Sequence, residues 1–325
     1  MKTYKNTKFF HGIMFHHFHD QKKYSKTQGS IDQNQFEKII KYIDRRNILD
    51  AKKFFIKMQN EELTNKDLCL TFDDGIKSQI DLALPILKKY QIKAFFFIPS
   101  SIFSNNPDLL EVYRYFRNKY FKNINDFYNQ FFIISKINMK KFSEINKKKI
   151  KIFKIKHKFY SLNDIKFRLI RDTILTKNKY NDIMEKLFKI YNFKKNNHYN
   201  KLFLDKNDVK KIIHAGHVIG LHSHTHPTQM AKLSFQKQFN EYQKNKNFLL
   251  KIIGTKNKNT LNSMSHPCGN YNQDTKIILN KLNIEIGFRS SMSIDKKNSM
   301  KKINNSKFEI AREDHANIIS KIYKK

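Results

Sequence analysis

Apolar residues follow two rhythms along this chain. Short apolar or aromatic runs read as buried strands, at Phe9–Phe18, Asp67–Phe72, Lys93–Ile98, His217–Leu221, Leu261–Ser265, Ile284–Phe288 and Phe308–Ala311. Between them the apolar positions recur three and four residues apart, the spacing of one helical face. Phe36, Ile39, Ile40 and Ile43 predict a helix beginning near Ser30, where Ser30 and Gln33 have capping-box spacing. Ile80, Leu84 and Leu87 predict the next. Further helices are expected from Asp205 to His214 with Gly216 placed to end it, from Leu233 to Ile253, and from Gln273 to Leu282. Strands and helices alternating over short links are parallel βα units. Closed on themselves, they form an α/β barrel whose chemistry belongs at the C-terminal strand ends.

The rhythm changes between Asn105 and Asn200. This stretch is dense in Lys, Asn, Phe and Tyr, shows helical spacing (Phe127, Phe131 and Ile134; Ile183, Leu187 and Ile190) and offers no convincing strand. We read residues 105–200 as a helical insertion within a single domain spanning 1–325. Composition adds a net charge of +36. Such an excess can signal nucleic acid or an anionic membrane surface. Here it is spread along the chain, thickening between Lys119 and Lys211, and no nucleic-acid reader motif accompanies it, so no nucleic-acid partner is expected. Two cysteines, Cys69 and Cys268, make no disulfide framework. The N-terminal segment lacks the long apolar run of a signal peptide, and no stretch is apolar enough to span a bilayer, so a cytoplasmic location is the expectation.

Three motifs carry chemistry, each at a predicted strand end. Thr71-Phe72-Asp73-Asp74-Gly75 places two acids together, which is costly unless something such as a divalent cation neutralises them. Neighbouring strand residues point opposite ways, so both reach one site only if the chain bends, and Gly75 offers the bend. A helix N-cap would need only one of the two. His222-Ser223-His224-Thr225-His226-Pro227 follows a strand and precedes a proline, so it is a loop that can converge two imidazoles on one ion. Ser265-His266-Pro267-Cys268-Gly269-Asn270-Tyr271 has the Pro and Gly of a sharp turn that can aim backbone N–H groups at an oxyanion. The Cys268 thiol itself reads as a small packed residue.

TFDDG, HSHTHP and HPCGNYN, in that order, resemble the successive motifs of the polysaccharide deacetylase (NodB-homology) family, over about Lys66 to His315. The resemblance implies a distorted (β/α) barrel of about seven strands. It also implies a metal-dependent hydrolase that removes acetyl from an N-acetylated sugar or polysaccharide in surface glycan biosynthesis. It assigns Asp73 as general base, Asp74, His222 and His226 as metal ligands, and the backbone N–H of Cys268 as oxyanion donor, with His224 on a variable position. His, His and Asp with open positions suit zinc, and also cobalt, nickel or iron.

The chain departs from the family in two places. Ser265 stands where many members carry an Arg that supports the base, and the late Leu-x-His that carries the general acid is missing. Arg312 is the candidate replacement for the first. His17, at the end of the first strand, and His315 are the candidates for the second, with His17 favoured. Other readings are a metal-dependent amidohydrolase acting on a small non-sugar amide, an inactive carbohydrate-binding homologue, and a basic nucleic-acid binder, which would leave the acid and His clusters unexplained.

Overall fold

The computed structural model describes residues 11–64, 66–156, 160–254, 261–290 and 306–323. It falls into two compact units, one formed by residues 1–108 with 200–325, the other by Leu109–Tyr199.

The first unit is a distorted (β/α) barrel. Among the described residues its strands are seven, β1 (Gly12–Phe15), β2 (Cys69–Phe72), β3 (Phe95–Ile98), β4 (Val218–Leu221), β5 (Ser263–Ser265), β6 (Ile286–Phe288) and β7 (Arg312–Asp314). They lie in the order β6-β5-β4-β3-β2-β1-β7 with every pairing parallel. The two edges approach each other. Phe288 and Ile310 form a parallel bridge, and the Ile310 and Arg289 amides donate to Gly287 and Ile310 carbonyls at 2.9 and 3.0 Å. The cylinder therefore nearly closes through the residues leading into β7.

Alternation along the strands sorts the side chains. One parity of β1 to β3 faces outward, where Phe15, Phe72 and Phe96 stack in a row with centroids 5.2 and 4.7 Å apart. Phe36, from the helix Gln33–Ile43, packs edge-on against Phe15 at 4.9 Å. Each such ring removed from water is worth roughly 1.5–3 kcal/mol. The opposite parity fills the interior with Cys69, Phe95, Phe97, Ile286 and Phe288. Gly220 belongs to that interior, because a Cβ there would lie 2.5 Å from the Phe97 ring and 2.7 Å from the Ser263 carbonyl.

Several details differ from the sequence expectations. The capping box of the first helix is Asp32 with Gln35, since both reciprocal bonds run between that pair and not between Ser30 and Gln33. The helix Ala51–Gln59, with Ala51 and Phe54 buried, was not anticipated. The helix marked by Ile80 and Leu84 begins as a π-turn, Gln79–Ala83, before Leu84–Lys89. The last strand is Arg312–Asp314, because the expected Phe308–Ala311 segment bridges to β6 and only its end, the Ala311 carbonyl, bonds to the start of β1. Phe9 and Phe10 lie outside the described residues.

The second unit is helical, and among its described residues it holds no strand. Phe127 and Phe131 are buried as their spacing suggests. On Lys177–Ile190 the buried stripe is Tyr180, Ile183, Met184, Leu187 and Phe188, while Ile190 faces solvent.

Candidate active site

β2 ends at Phe72, and Asp73 keeps the interior parity of Cys69 and Thr71. A straight strand would send Asp74 outward. Instead Asp74 takes φ 75° and Gly75 φ 62°, both left-handed, and the bend returns the Asp74 carboxylate to the barrel mouth. Gly75 is needed on two counts, since a Cβ there would also lie 2.7 Å from Ile102. The Gln79 side chain secures the turn, donating to the carbonyls of His16 (2.9 Å) and Asp73 (2.7 Å).

From β4, His222 keeps the interior parity of Gly220. The loop behind it carries two more left-handed residues, Ser223 (φ 61°) and His226 (φ 50°). Such backbone is costly outside glycine and persists only where its surroundings enforce it. The enforcing groups lie on one face of the helix Phe235–Ile253. Glu241 accepts from the His224 and Thr225 amides at 3.0 and 2.7 Å and from the Thr225 hydroxyl at 2.8 Å. Asn245 accepts from the His222 amide at 2.9 Å and donates to the Ile98 carbonyl at 2.9 Å.

The result is a triangle. His222 Nε2 lies 3.2 Å from Asp74 Oδ1, His226 Nε2 lies 3.3 Å from the same oxygen, and the two imidazole nitrogens are 3.2 Å apart. Zinc held at about 2.0–2.1 Å by tetrahedral ligands separates them by about 3.3–3.4 Å, so the triangle has the right size for one face of such a site. His222 Nδ1 donates to the Ser265 carbonyl at 2.8 Å, which orients the ring so that Nε2 faces the triangle. Among the described residues this is the one cluster of three with metal-ligating geometry. Burial raises the Asp74 carboxyl, but the His222 hydrogen bond, with His226 and His16 nearby, holds it well below the ordinary range.

Asp73 stands beside the triangle in the grip of Arg312. This arginine, fully buried on β7, donates from Nη1 and Nη2 to the two Asp73 oxygens, both at 2.8 Å. Its remaining donors reach Thr71 Oγ1, Ser265 Oγ and the Arg289 carbonyl at 3.1, 2.7 and 3.0 Å. Gly12 makes room, since a Cβ there would lie 2.6 Å from the Arg312 side chain. Burial pushes the Asp73 carboxyl up, yet Arg312 first, then His222 and His16, bring it below the usual value. A carboxylate paired in this way stays ionised and oriented.

A profile described as Polysaccharide deacetylase matches residues 60–116 and 173–287, more than half of the chain and all three motifs. The chain belongs to the polysaccharide deacetylase family. It is therefore a hydrolase of carbon–nitrogen bonds other than peptide bonds. Solved structures share the fold. The Streptococcus pyogenes deacetylase PplD, in complex with acetate, aligns with a TM-score of 0.53 at 15% identity over 96% of both chains. A de-N-acetylase from Aggregatibacter actinomycetemcomitans aligns with a TM-score of 0.53 at 13% identity over 93% of both. The BpsB deacetylase domain from Bordetella bronchiseptica aligns with a TM-score of 0.50 at 11% identity, over 94% of this chain and 95% of that one. No curated protein matches by sequence.

In this deacetylase the remaining candidates sort by position. Arg312 reaches the carboxylate that the family's earlier Arg supports, and Ser265 donates to Asp73 Oδ2 at 3.1 Å while accepting from Arg312. Beside the favoured His17, its neighbour His16 also comes near the acids. His16 shares the interior parity of Gly12 and Met14, and its Nε2 lies 4.0 Å from both Asp73 Oδ2 and Asp74 Oδ2. The His17 ring lies parallel to it, 6.0 Å away. His315 is a structural link on the outer face. It stacks on Phe15 at 5.4 Å, and its ring nitrogens lie 3.0 and 2.8 Å from the Met14 and Gly29 carbonyls. His224 turns to Ser100 Oγ at 2.9 Å, outside the triangle. Cys268, expected to be a small packed residue, is instead exposed, because it occupies the left-handed turn after β5 with φ 52° and ψ 15°. Sequence reasoning missed His16, Glu241 and Asn245. Strand parity was the available signal for His16, whereas nothing local marks the other two.

Proposed function

We propose that this chain removes N-acetyl groups from an N-acetylated sugar polymer in a reaction that needs a divalent metal, zinc by preference. What carries the reading is the Arg312-bound Asp73 carboxylate beside the triangle of Asp74, His222 and His226. Those three residues would hold the cation. When bound, the ion supplies a Lewis acid that polarises the acetamide carbonyl and acidifies water at its open positions.

This chain's own groups do the rest. Asp73, ionised and fixed by two parallel bonds, takes a proton from the attacking water as its oxygen adds to the acetamide carbon. The Cys268 amide, at the turn after β5, is the backbone donor for the resulting oxyanion. His16 Nε2, partly open to solvent, delivers a proton to the departing amine as the carbon–nitrogen bond breaks. The products are acetate and the free amino sugar.

The test is acetate release from N-acetylglucosamine oligomers by metal-stripped protein, then by protein reloaded with zinc, cobalt, nickel or iron. Wild type should recover activity on reloading. Asp73→Asn should bind metal but lose roughly 100-fold or more in kcat, and His16→Gln should lose kcat while still binding metal. Metal binding without acetate release from any sugar, but with turnover of small amides, would move the reading to the non-sugar amidohydrolase.

A further inference from the structure

The helical unit carries a stripe whose polarity is wrong for a solvated surface. The helices Met139–Ile145 and Lys147–Lys156 follow each other across Asn146 (φ −100°, ψ 13°), whose amide bonds to the Phe142 carbonyl and whose own carbonyl receives the Ile150 amide. Phe142, Asn146 and Ile150, four residues apart, are buried and define the inward side. The other side carries Lys141, Ile145, Lys148, Ile152 and Ile155, at the alternating spacing of four and three that keeps residues on one face. The three isoleucines are 71%, 46% and 62% exposed in that order. An ordinary surface helix keeps this face polar.

The charge around the stripe is one-sided. From Met139 to Lys156 the chain has eight lysines and a single acid, Glu144. Lys140, Lys141, Lys147, Lys148, Lys149, Lys151 and Lys154 are all exposed. The kind of cation matters too, for no arginine occurs between Arg117 and Arg168. Nucleic-acid surfaces favour the arginine fork and aromatic platforms on which bases stack. Flexible lysines around exposed aliphatic side chains suit an anionic bilayer. There the isoleucines enter the acyl boundary, while the lysine stems extend and place their ammonium groups among the headgroups.

We propose that the stripe from Lys141 to Ile155 docks this protein on an anionic lipid surface. The inference is independent of the deacetylase reading, since every residue in it lies in the helical unit. The isoleucines supply adhesion and the lysines supply attraction, so binding requires both.

The experiment is sedimentation of the full-length protein with vesicles of phosphatidylcholine alone or with roughly 30% phosphatidylglycerol. Partition onto the anionic vesicles should be about tenfold stronger or more and should fall steeply toward roughly 0.5 M salt. The double substitution Ile152→Ser with Ile155→Ser should weaken it by about tenfold, and Lys148→Glu with Lys151→Glu by a similar factor. Thermal midpoint and acetate release from a soluble oligomer should stay at wild-type values in both, because the altered side chains are exposed. Equal partition onto both vesicles, no partition, or partition indifferent to the isoleucine substitutions would overturn the proposal. So would binding of a single-stranded oligonucleotide that the same substitutions weaken while vesicles are ignored.

Discussion

Buried alone, the Asp73 carboxyl would hold a proton and be useless for removing one; two parallel bonds from Arg312 reverse that balance. Geometry matters here as much as charge, because a lysine is a point cation that cannot grip both oxygens. Arg312→Lys is expected to leave metal affinity within about twofold while lowering kcat by roughly tenfold or more, read by titration calorimetry and acetate release. Removing the cation altogether, as Arg312→Met, leaves an uncompensated buried charge and is expected to cost about 3–5 kcal/mol in urea unfolding. His266 carries a second prediction. It is buried, Nε2 donates to the Phe308 carbonyl at 2.8 Å, Tyr271 covers the ring at 4.1 Å, and Nδ1 has no partner among the described residues. Burial lowers its pKa to about 4. The unfolded chain, with histidine near about 6.5, binds the extra proton first, so this contribution is complete above that value and is lost as pH falls toward the folded one. Stability should drop by at most about 3 kcal/mol between about pH 6.5 and 4. The urea midpoint in His266→Phe should fall less over the same window.

At the level of elements, the ligand loop depends on a helix that holds no ligand. Glu241 and Asn245, one turn apart on Phe235–Ile253, fix the backbone from His222 to Thr225 in a shape that includes the left-handed Ser223. Glu241→Gln replaces a charged acceptor of two amides by a neutral amide group that retains one acceptor oxygen. Zinc affinity is expected to fall about tenfold with little loss of fold, measured by competition with a chromophoric chelator. Unchanged affinity would mean that the loop holds its shape without the clamp. Here sequence and structure part company for a physical reason. Asp74, His222 and His226 could be read early because the motifs that carry them are short and local. Asp32 displaced Ser30 as the cap because capping is decided by backbone direction, which apolar spacing does not record. His16 did not stand out beside His17, although the period of two starting at Gly12 places it on the interior face. Arg312 could only be guessed, since its meeting with Asp73 depends on β7 pairing with β1, which no local pattern shows.

On the scale of the whole molecule, the barrel was legible from alternating strand and helix runs, while its closure was not. That closure passes through Gly287, whose amide donates to the Lys307 carbonyl and whose own carbonyl receives the Ile310 amide. A Cβ at Gly287 would lie 3.0 Å from both the Phe308 Cα and its carbonyl oxygen, and backbone atoms give way poorly. Gly287→Ala is expected to lower stability by about 1–3 kcal/mol. Because the strained segment leads directly into Arg312, it should also lower kcat more than metal affinity. Thermal unfolding beside a metal titration would show both effects.

The order of the strands in space also has a consequence in time. The strand that carries Arg312 lies beside the first one, so it is among the last parts of the barrel to leave the ribosome and joins one of the earliest. Until it arrives, the nascent chain already contains every residue of the triangle, yet its aspartate lacks the partner that keeps it charged. Hydrolytic competence is thus expected only once this strand has been made, and a chain cut before Phe308 is expected to release no acetate.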